Sequence, residues 1–286
     1  MTPFELVEPR SLRDAARALE HEGHTVRSIA GGTAVMLMMK LGVLRPLRLV
    51  SLRDVEPQYF GIATDADGTL HVGAMATLSS LEHSPAARTV APVITRTLET
   101  LSNVRVRNVA TVGGHLAHAD PHMDLPPVLI ALGASVSGVD AEGDWELPVD
   151  ELYTGYLETV LARDELIGEL IVPYRESRRA AYLKCTTRCA DDWPALGVAV
   201  ALDSDGAVVR GVRVVVSAAT DRPTRLAAAE RALEGARIDD AVLARAGEAA
   251  AAEAKIVADQ HGSAAYKREL LRVYVGRAVR AALDQK

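Results

Sequence analysis

The stretch TVGGHLAHADPHMDLPPVLIALG, Thr111–Gly133, opens on a glycine pair and carries five side chains of types that bind metal ions. The five are His115, His118, Asp120, His122 and Asp124. Two kinds of protein fit these residues: one with a metal centre here, and one in which the glycine backbone cradles an anionic cofactor. In either case the apolar second half, LPPVLIALG, predicts a buried helix.

The spacing of the metal-binding side chains argues against a metal centre. Histidine and carboxylate groups are ordinary ligands, but Pro121 interrupts any helix that would bring two imidazoles onto one face. Asp120 and Pro121 instead predict a turn. Asp124 directly precedes the apolar helix, so we expect it to cap that helix, to contact a cofactor, or to do both.

The composition indicates a globular protein with a substantial core. The chain has 286 residues, 49% of them apolar, and a net charge of −6. That charge disfavours a nucleic-acid-binding surface, which needs clustered basic residues. Cys185 and Cys189 are too few to hold an iron–sulfur cluster. We see no signal peptide and no window near the roughly 18 apolar residues of a membrane span, so we expect a cytoplasmic protein.

The spacing of apolar residues in the first part of the chain, to about residue 55, predicts a small α/β unit. Ser11 opens a capping-box pattern, and the apolar residues after it predict a helix that ends at Gly23. TVRSIAGGTAVMLMMKLG predicts a strand, a glycine turn and a second helix ending near Gly42. LRLVSL, Leu47–Leu52, predicts a buried strand, which completes the unit.

A second α/β unit is predicted from Leu70 to about residue 175. LHVGAMATLSSLEHS predicts a strand and then a helix capped by Thr77, and AARTVAPVITRTLETLS predicts one amphipathic helix. After the opening stretch, the apolar helix is expected to run into a strand. ELIGELIVP predicts a further strand before Pro173.

The rest of the chain predicts a smaller C-terminal domain. AAYLKCTT, ALGVAVALD and AVVRGVRVVVSAA are predicted strands at hairpin spacing, with a turn at Ser204–Gly206. Three helices are expected near Arg222–Leu233, Asp239–Ala254 and Ser263–Leu283. The fold class is therefore α+β: two α/β subdomains, about 1–55 and 56–176, and then, in 177–286, a three-stranded antiparallel sheet with helices.

Each predicted α/β unit contains a Gly-Gly pair followed by a polar residue, AGGTA at Ala30–Ala34 and TVGGH at Thr111–His115. Glycine lets a backbone turn tightly and approach a ligand, and successive N–H groups in such a turn suit phosphate oxygens. Two such turns can hold a pyrophosphate between them, as carried by FAD or NAD. Neither pair matches the Rossmann fingerprint or the P-loop.

These motifs resemble those of the medium, FAD-binding subunit of the molybdenum hydroxylases. That family includes aerobic carbon monoxide dehydrogenase, xanthine dehydrogenase and bacterial N-heterocycle dehydrogenases. AGGTAVMLMMKLG resembles its first flavin motif, RVRNVATVGGHLAHADPHMDLPPVLIALGA its second, and HGSAAYKRELLRV, His261–Val273, its C-terminal signature. The resemblance runs from about Phe4 to about Ala282.

The resemblance implies an FAD site and names its residues. Both glycine turns would face the pyrophosphate, Asp124 matches an acidic position near the sugar portion, and Lys184 matches a position close to the isoalloxazine ring. Trp193 stands near the flavin face, where related chains often carry Tyr, and the Ile167 backbone is expected to approach the ring. The implied cofactor-binding set is Ala30, Gly31, Gly32, Thr33, Ala34, Val35, Thr111, Gly113, Gly114, His115, Ala117, Asp124, Ile167, Lys184 and Trp193. No catalytic or metal-binding residue is expected.

Two residues depart from the family pattern. Ala34 stands where a polar residue is common, so one side-chain donor is lost. His115 stands where Asn, Ser or Asp is more usual. Because backbone N–H groups survive both changes, FAD binding is expected to persist.

The resemblance also implies a function for the whole chain. We expect an electron-transfer subunit of an oxidoreductase, with substrate chemistry on a molybdenum cofactor in a large subunit and two [2Fe–2S] clusters in a small subunit. Electrons would pass through the clusters to FAD and then to a terminal acceptor, in a dimer of heterotrimers. Two alternatives stay open: a non-catalytic assembly subunit with weak or no FAD, and a stand-alone flavin oxidoreductase that uses NAD(P)H.

Overall fold

The computed structural model of the chain describes residues 3–20, 25–204, 206 and 208–285. The helices of this described part are α1 (Leu12–Glu20), α2 (Thr33–Lys40), α3 (Leu78–Glu82), α4 (Pro85–Val90), α5 (Pro92–Glu99), α6 (Val104–Arg107), α7 (Val112–His118), α8 (Leu125–Leu132), α9 (Ala227–Leu233), α10 (Asp240–Glu253) and α11 (Ala264–Leu283). Short 3-10 turns cover Pro57–Phe60 and Val149–Glu151.

The strands of the same residues form four sheets. They are β1 (Glu5–Val7), β2 (Val26–Ile29), β3 (Arg48–Ser51), β4 (Ile62–Thr64), β5 (Leu70–Gly73), β6 (Ser135–Val139), β7 (Asp144–Pro148), β8 (Tyr153–Gly155), β9 (Glu158–Thr159), β10 (Leu166–Val172), β11 (Arg178–Cys185), β12 (Leu196–Ser204), β13 (Val209–Ser217) and β14 (Thr224–Arg225). No helix of the described residues is long and apolar enough to cross a membrane.

The N-terminal unit has the predicted α/β architecture. Its parallel sheet has the strand order β1-β3-β2, and α1 packs on it through Leu12, Ala15, Ala16 and Leu19, all buried. The Ser11 hydroxyl accepts a hydrogen bond from the Asp14 N–H at 3.0 Å, which confirms the predicted cap. The predicted helix stop at Gly23 lies outside the described residues.

The second unit holds a five-stranded sheet in the order β4-β5-β10-β6-β7, antiparallel throughout. A succession of strands and helices is more typical of a parallel sheet. The antiparallel order arises because β6 and β7 form a hairpin and β10 then inserts between β5 and β6. The strands β4 and β7 escaped prediction because both are sheet edges with mostly exposed side chains, which leaves little apolar pattern.

One predicted helix is wrong in its extent. AARTVAPVITRTLETLS forms two helices, α4 and α5, instead of one. The break lies at Ala91, whose backbone adopts φ −146° and ψ 78°. Pro92 causes it, because proline disfavours the helical conformation of the residue before it.

The C-terminal domain has one strand more than predicted. The sheet order is β11-β12-β13-β14, all antiparallel, and the extra strand β14 pairs with β13 at Val215 and Arg225. The first C-terminal helix therefore begins at Ala227 and not near Arg222. The predicted turn at Ser204–Gly206 includes residue 205, which lies outside the described residues.

The two faces of this C-terminal sheet bury different partners. Leu271 and Val275 of α11 join one core with Val198 and Val200 on one face of the sheet. Ala199 and Val215, on the other face, belong to the core that contains Leu125 and Val128–Leu132 of α8. The C-terminal sheet thus packs directly against α8, the helix in the second half of Thr111–Gly133. This contact brings the C-terminal sheet close to the candidate site.

Candidate functional site

A cavity of about 500 Å³ opens where the N-terminal unit, the second unit and the C-terminal domain meet. Its walls come from the start of α2, the start of α7, the loop before α8, the beginning of β10 and the segment Asp191–Pro194. The volume lies within the range of about 300–1,000 Å³ that is usual for ligand sites. Every residue of the implied cofactor-binding set except Lys184 lines this cavity.

The N-terminus of α2 faces the cavity without a cap. Gly32 adopts the left-handed conformation (φ 72°) that favours glycine, and no side chain caps the helix. Among the described residues, none accepts a hydrogen bond from the backbone N–H groups of Thr33, Ala34 or Val35. Such N–H groups carry partial positive charge and bind anions. The three residues that follow the first glycine pair therefore present free backbone donors to the cavity.

The second glycine pair forms the first turn of α7, and Thr111, Gly113, Gly114 and His115 line the cavity. Every N–H group of that turn already has a protein acceptor. The bonds run from Val112 to the Ala76 carbonyl, from Gly113 to the Ala74 carbonyl, from Gly114 to the Thr111 hydroxyl and from His115 to the Thr111 carbonyl. The backbone N–H groups of Val112–His115 are therefore engaged within the protein.

Two glycines instead permit close backbone packing. A Cβ on Gly31 would lie 2.0 Å from the Val109 carbonyl oxygen, and one on Gly113 would lie 2.6 Å from the Ala74 Cβ. Real Cβ atoms do not approach so closely. Gly31 thus holds the start of α2 against the segment before α7, and Gly113 holds α7 against the residue after β5.

His115 is a buried side chain of the cavity wall with an unused polar atom. Among the described residues, none forms a hydrogen bond with its Nε2. Burial, helped by the nearby His118, lowers the pKa of His115 to about 4, so the imidazole is neutral at pH 7. A buried polar atom without a partner is costly. The imidazole therefore suits a ligand that completes its hydrogen bonding.

Asp124 is held by the C-terminal sheet and does not cap α8 with its side chain, so that part of the prediction is wrong. Tyr182 donates to Oδ1 at 2.6 Å and the Lys184 ammonium donates to Oδ2 at 2.8 Å. Burial raises the pKa of Asp124, and the attraction of Lys184 opposes that rise. A carboxylate has acceptor capacity beyond these two bonds. Asp124 therefore offers the cavity an oriented acceptor for a hydroxyl group.

Lys184 stands behind Asp124 and not on the cavity wall. Besides Asp124, its Nζ donates to the Thr100 carbonyl at 2.8 Å. Tyr182, which no sequence pattern singled out, lies two residues earlier on β11. Residues i and i+2 of a strand share a face, so this spacing is the signal by which Tyr182 can be found.

The C-terminal domain fixes the whole loop between α7 and α8. Besides the bonds to Asp124, the Ala218 N–H donates to the Pro121 carbonyl at 2.8 Å, and His122 Nε2 lies 2.8 Å from Asp259 Oδ2. The histidines of the opening stretch therefore separate: His115 is buried in α7 and His122 faces two carboxylates. Among the described residues, no three His, Cys, Asp or Glu side chains form a group suited to a metal ion.

Replacing Thr111 with alanine tests the cap that orders α7. Because the hydroxyl accepts from the Gly114 N–H at 3.2 Å, we expect the free energy of unfolding to fall by about 1 kcal/mol. Urea unfolding measures this change. Thr187, exposed in a loop, is the matched control: Thr187→Ala should stay within about 0.5 kcal/mol of the original protein. Equal stabilities of the two variants would contradict the capping role.

An uncapped helix N-terminus, a neutral imidazole and a fixed carboxylate around one cavity are suited to a cofactor with phosphate and hydroxyl groups. Residues 2–175 match the family described as the FAD binding domain in molybdopterin dehydrogenase. Residues 181–282 match the CO dehydrogenase flavoprotein C-terminal domain. The chain belongs to this family, the FAD-binding medium subunits of the molybdenum hydroxylases, and is an oxidoreductase flavoprotein subunit.

Individual relatives resemble the chain over nearly its full length. The structure of carbon monoxide dehydrogenase from Hydrogenophaga pseudoflava, in a form lacking the Mo-pyranopterin moiety of the molybdenum cofactor, matches with a TM-score of 0.94 and 30% identity, covering 99% of each chain. The 6-hydroxypseudooxynicotine dehydrogenase complex subunit alpha of Paenarthrobacter nicotinovorans is 30% identical, covering 99% of this chain and 95% of its own. The glyceraldehyde dehydrogenase medium chain of Sulfolobus acidocaldarius is 26% identical, with 96% of each covered.

Proposed function

We propose that the chain holds FAD in the cavity and carries electrons from the [2Fe–2S] clusters of a small subunit to a terminal acceptor. Substrate chemistry would take place at a molybdenum cofactor in a large subunit, and two such heterotrimers would associate. The family supports the cofactor, and the names of the relatives, a medium chain and a complex subunit alpha among them, support membership in a complex.

The observation that carries this proposal is the uncapped N-terminus of α2 at the cavity. FAD brings two phosphates, and the free N–H groups of Thr33, Ala34 and Val35 are suited to their negative charge. These donors belong to the backbone, so the loss of a side-chain donor at Ala34 leaves them in place. His115 and Asp124 add one neutral and one anionic group that suit the sugar hydroxyls. The residues present thus fit FAD.

The remaining residues of the implied set would shape the rest of the site. Ile167 and Trp193 both line the cavity, and Trp193 is 46% exposed, at its opening. Bound flavin supplies the capacity to take up and pass on electrons. The protein's part is to position the flavin, to neutralise its phosphates and to limit the access of water. No catalytic side chain is needed for that role.

The domain division and the cellular location are parts of the same proposal. We place the FAD-binding domain in 1–176 and the C-terminal domain in 177–286; the family matches end at residue 175 and resume at residue 181. Cys185 and Cys189 are free thiols, and free thiols are typical of a reducing cytoplasm.

Purification of the intact complex tests the proposed function. The chain should co-purify with two further subunits, and the complex should contain iron and molybdenum as well as FAD. Anaerobic addition of the large subunit's substrate should then bleach the flavin absorption. A chain that purifies alone and whose flavin is bleached directly by NADH would favour the stand-alone oxidoreductase instead. A complex with iron and molybdenum but no flavin would favour the assembly subunit.

A further inference from the structure

A group of charged side chains around His122, a residue of the cavity wall, has no part in the electron-carrying role described above. His122 is its centre: Nδ1 lies 3.0 Å from Asp120 Oδ1, and Nε2 lies 2.8 Å from Asp259 Oδ2. The His122 side chain lines the cavity and is 12% exposed. Ionised carboxylates only accept hydrogen bonds, so both ring nitrogens need a hydrogen to satisfy them. The geometry therefore favours the imidazolium form of His122.

The carboxylate of Asp259 is itself fixed by a buried cation. Lys267 of α11 is fully buried, and its Nζ donates to Asp259 Oδ2 at 2.6 Å and to the Ala218 carbonyl at 2.9 Å. Burial alone would raise the pKa of Asp259, but the hydrogen bonds from Lys267 and His122 outweigh it and hold the pKa at about 2. Asp259 thus stays charged, and its position relative to His122 is set by α11.

On its other side, His122 contacts the exposed tryptophan at the cavity opening. The ring centroids of His122 and Trp193 are 5.5 Å apart at an interplanar angle of 59°. A cation within about 6 Å of an aromatic ring is attracted to it. The Trp193 backbone N–H also donates to Asp192 Oδ1 at 3.0 Å. The backbone of Trp193 is therefore held by its own loop, while its indole contacts a charged imidazole from a different loop.

We propose that His122 is a positioning residue whose imidazolium holds the Trp193 indole against the cavity opening, so that loss of one proton from His122 releases the indole. The anchoring itself does not depend on FAD. Its consequence, wider access of electron acceptors to the cavity at higher pH, rests on the proposed function.

The direction of the pH dependence follows from all the charged groups around His122. Burial tends to lower the pKa of His122, but its hydrogen bonds with Asp120 and Asp259 outweigh burial and raise it above the ordinary 6.5. The imidazolium is therefore present below that raised pKa and is lost as pH rises through it. The groups facing His122 from elsewhere are His118 at the end of α7, His261 and Asp259 before α11, Lys267 on α11, and Asp191 and Asp192 beside Trp193. Burial lowers the pKa of His118, so near pH 7 it adds no opposing positive charge.

Tryptophan fluorescence of the full-length chain, without FAD, tests the anchoring. The chain has two tryptophans, and Trp193→Phe identifies the signal of Trp193 by its loss. Because a neighbouring imidazolium quenches indole emission, the Trp193 emission should rise as pH passes above the raised pKa. Access of acrylamide to Trp193 should increase over the same range by up to about twofold, because Trp193 is already 46% exposed while the cation–π contact is intact.

Three variants separate the proposed cause from others. His122→Gln should abolish the step, and Asp259→Asn should move its midpoint to lower pH. The matched control Asp54→Asn, at an exposed position of the N-terminal unit, should leave the midpoint unchanged. A step that survives His122→Gln, or no step that depends on Trp193, would overturn the proposal. If a variant does not fold, NMR titration of His122 in the unaltered chain and in Trp193→Leu decides: a lower midpoint in Trp193→Leu supports the anchoring, because the indole then stabilises the imidazolium, and equal midpoints overturn it.

The outcome is independent of the proposed function. A chain that binds FAD but shows no pH-dependent Trp193 step would refute the anchoring and leave the electron-carrying role intact. A chain that shows the pH-dependent Trp193 step but never binds FAD would support the anchoring and refute the electron-carrying role.

Discussion

Replacing Lys184 with methionine is expected to destabilise the protein by about 3–5 kcal/mol at pH 7. The ammonium lies 2.8 Å from Asp124 Oδ2, and both side chains are more than nine-tenths buried. Removing one partner of a buried ion pair leaves the other charge without compensation in a medium that solvates it poorly. Tyr182 still donates one hydrogen bond to Asp124, but a neutral donor does not balance the charge. Urea unfolding of the two proteins measures the difference.

The pH dependence of this loss distinguishes an unpaired charge from a simple packing defect. Burial already raises the pKa of Asp124 above its ordinary 3.8, and Lys184 opposes that rise. In Lys184→Met the folded-state pKa should rise further, so the neutral carboxyl is favoured in the folded protein. Stability is then gained below the raised pKa and lost above it. The destabilisation should therefore shrink as pH falls from 7 toward 4.

Two controls belong to the Lys184 experiment. Lys255→Met changes an exposed lysine and should alter the free energy of unfolding by no more than about 0.5 kcal/mol. In the double variant Lys184→Met/Asp124→Asn the buried charge is gone, so most of the loss should be recovered. A pH-independent loss that the second substitution does not relieve would show that Lys184 acts through packing alone.

Replacing Gly31 with alanine is expected to weaken FAD binding about tenfold or more and to lower the free energy of unfolding by about 1–3 kcal/mol. The added Cβ would lie 2.0 Å from the Val109 carbonyl oxygen and 2.9 Å from the Ala110 Cα. Both are backbone atoms, so relief requires a backbone shift, and such overpacking costs about 1–3 kcal/mol. The shift moves the start of α2, whose N–H groups face the cavity. Losing one hydrogen bond to a charged group costs about 1.5 kcal/mol or more, which is roughly tenfold in affinity.

The matched control for Gly31 is Gly143→Ala. No heavy atom lies within 4 Å of a Cβ at Gly143, so both stability and FAD affinity should stay close to their original values. Fluorescence titration with FAD and urea unfolding together measure the two effects. A Gly31→Ala protein with unchanged FAD affinity would refute the role given to the α2 N-terminus.

Much of the fold was predictable because the apolar periodicity of the sequence is strong where at least one face of a helix or strand is fully buried. The helices α1 and α8 and the strands β10, β12 and β13 all carry such patterns. The elements that escaped are short or lie at edges, as β7 and β14 do. Their positions depend on pairing with strands distant in the chain, which no local pattern encodes.

The sequence identified most of the predicted site residues that line the cavity, but it did not predict the hydrogen bonds that these residues make. The glycine pairs and Asp124 do meet at one cavity. What a Gly-Gly pair does depends on its surroundings, however: the N–H groups after Gly32 stay free, whereas those of Gly113 and Gly114 are engaged by Ala74 and Thr111. Asp124 directly precedes a helix, a position that suits a cap, a cofactor contact or both, but its carboxylate is hydrogen-bonded to a lysine 60 residues away and does not cap the helix. Such partners come from the tertiary fold.

The most direct test of the account is the amount of FAD bound to the purified full-length chain, measured after reconstitution, together with its dissociation constant in the original protein and in Gly31→Ala. We predict one FAD per chain in the original protein and an affinity about tenfold or more lower in the variant, with Gly143→Ala unchanged. A folded chain that binds no FAD, or binds it equally well in all three proteins, would contradict the claim that the α2 N-terminus and the cavity form the cofactor site.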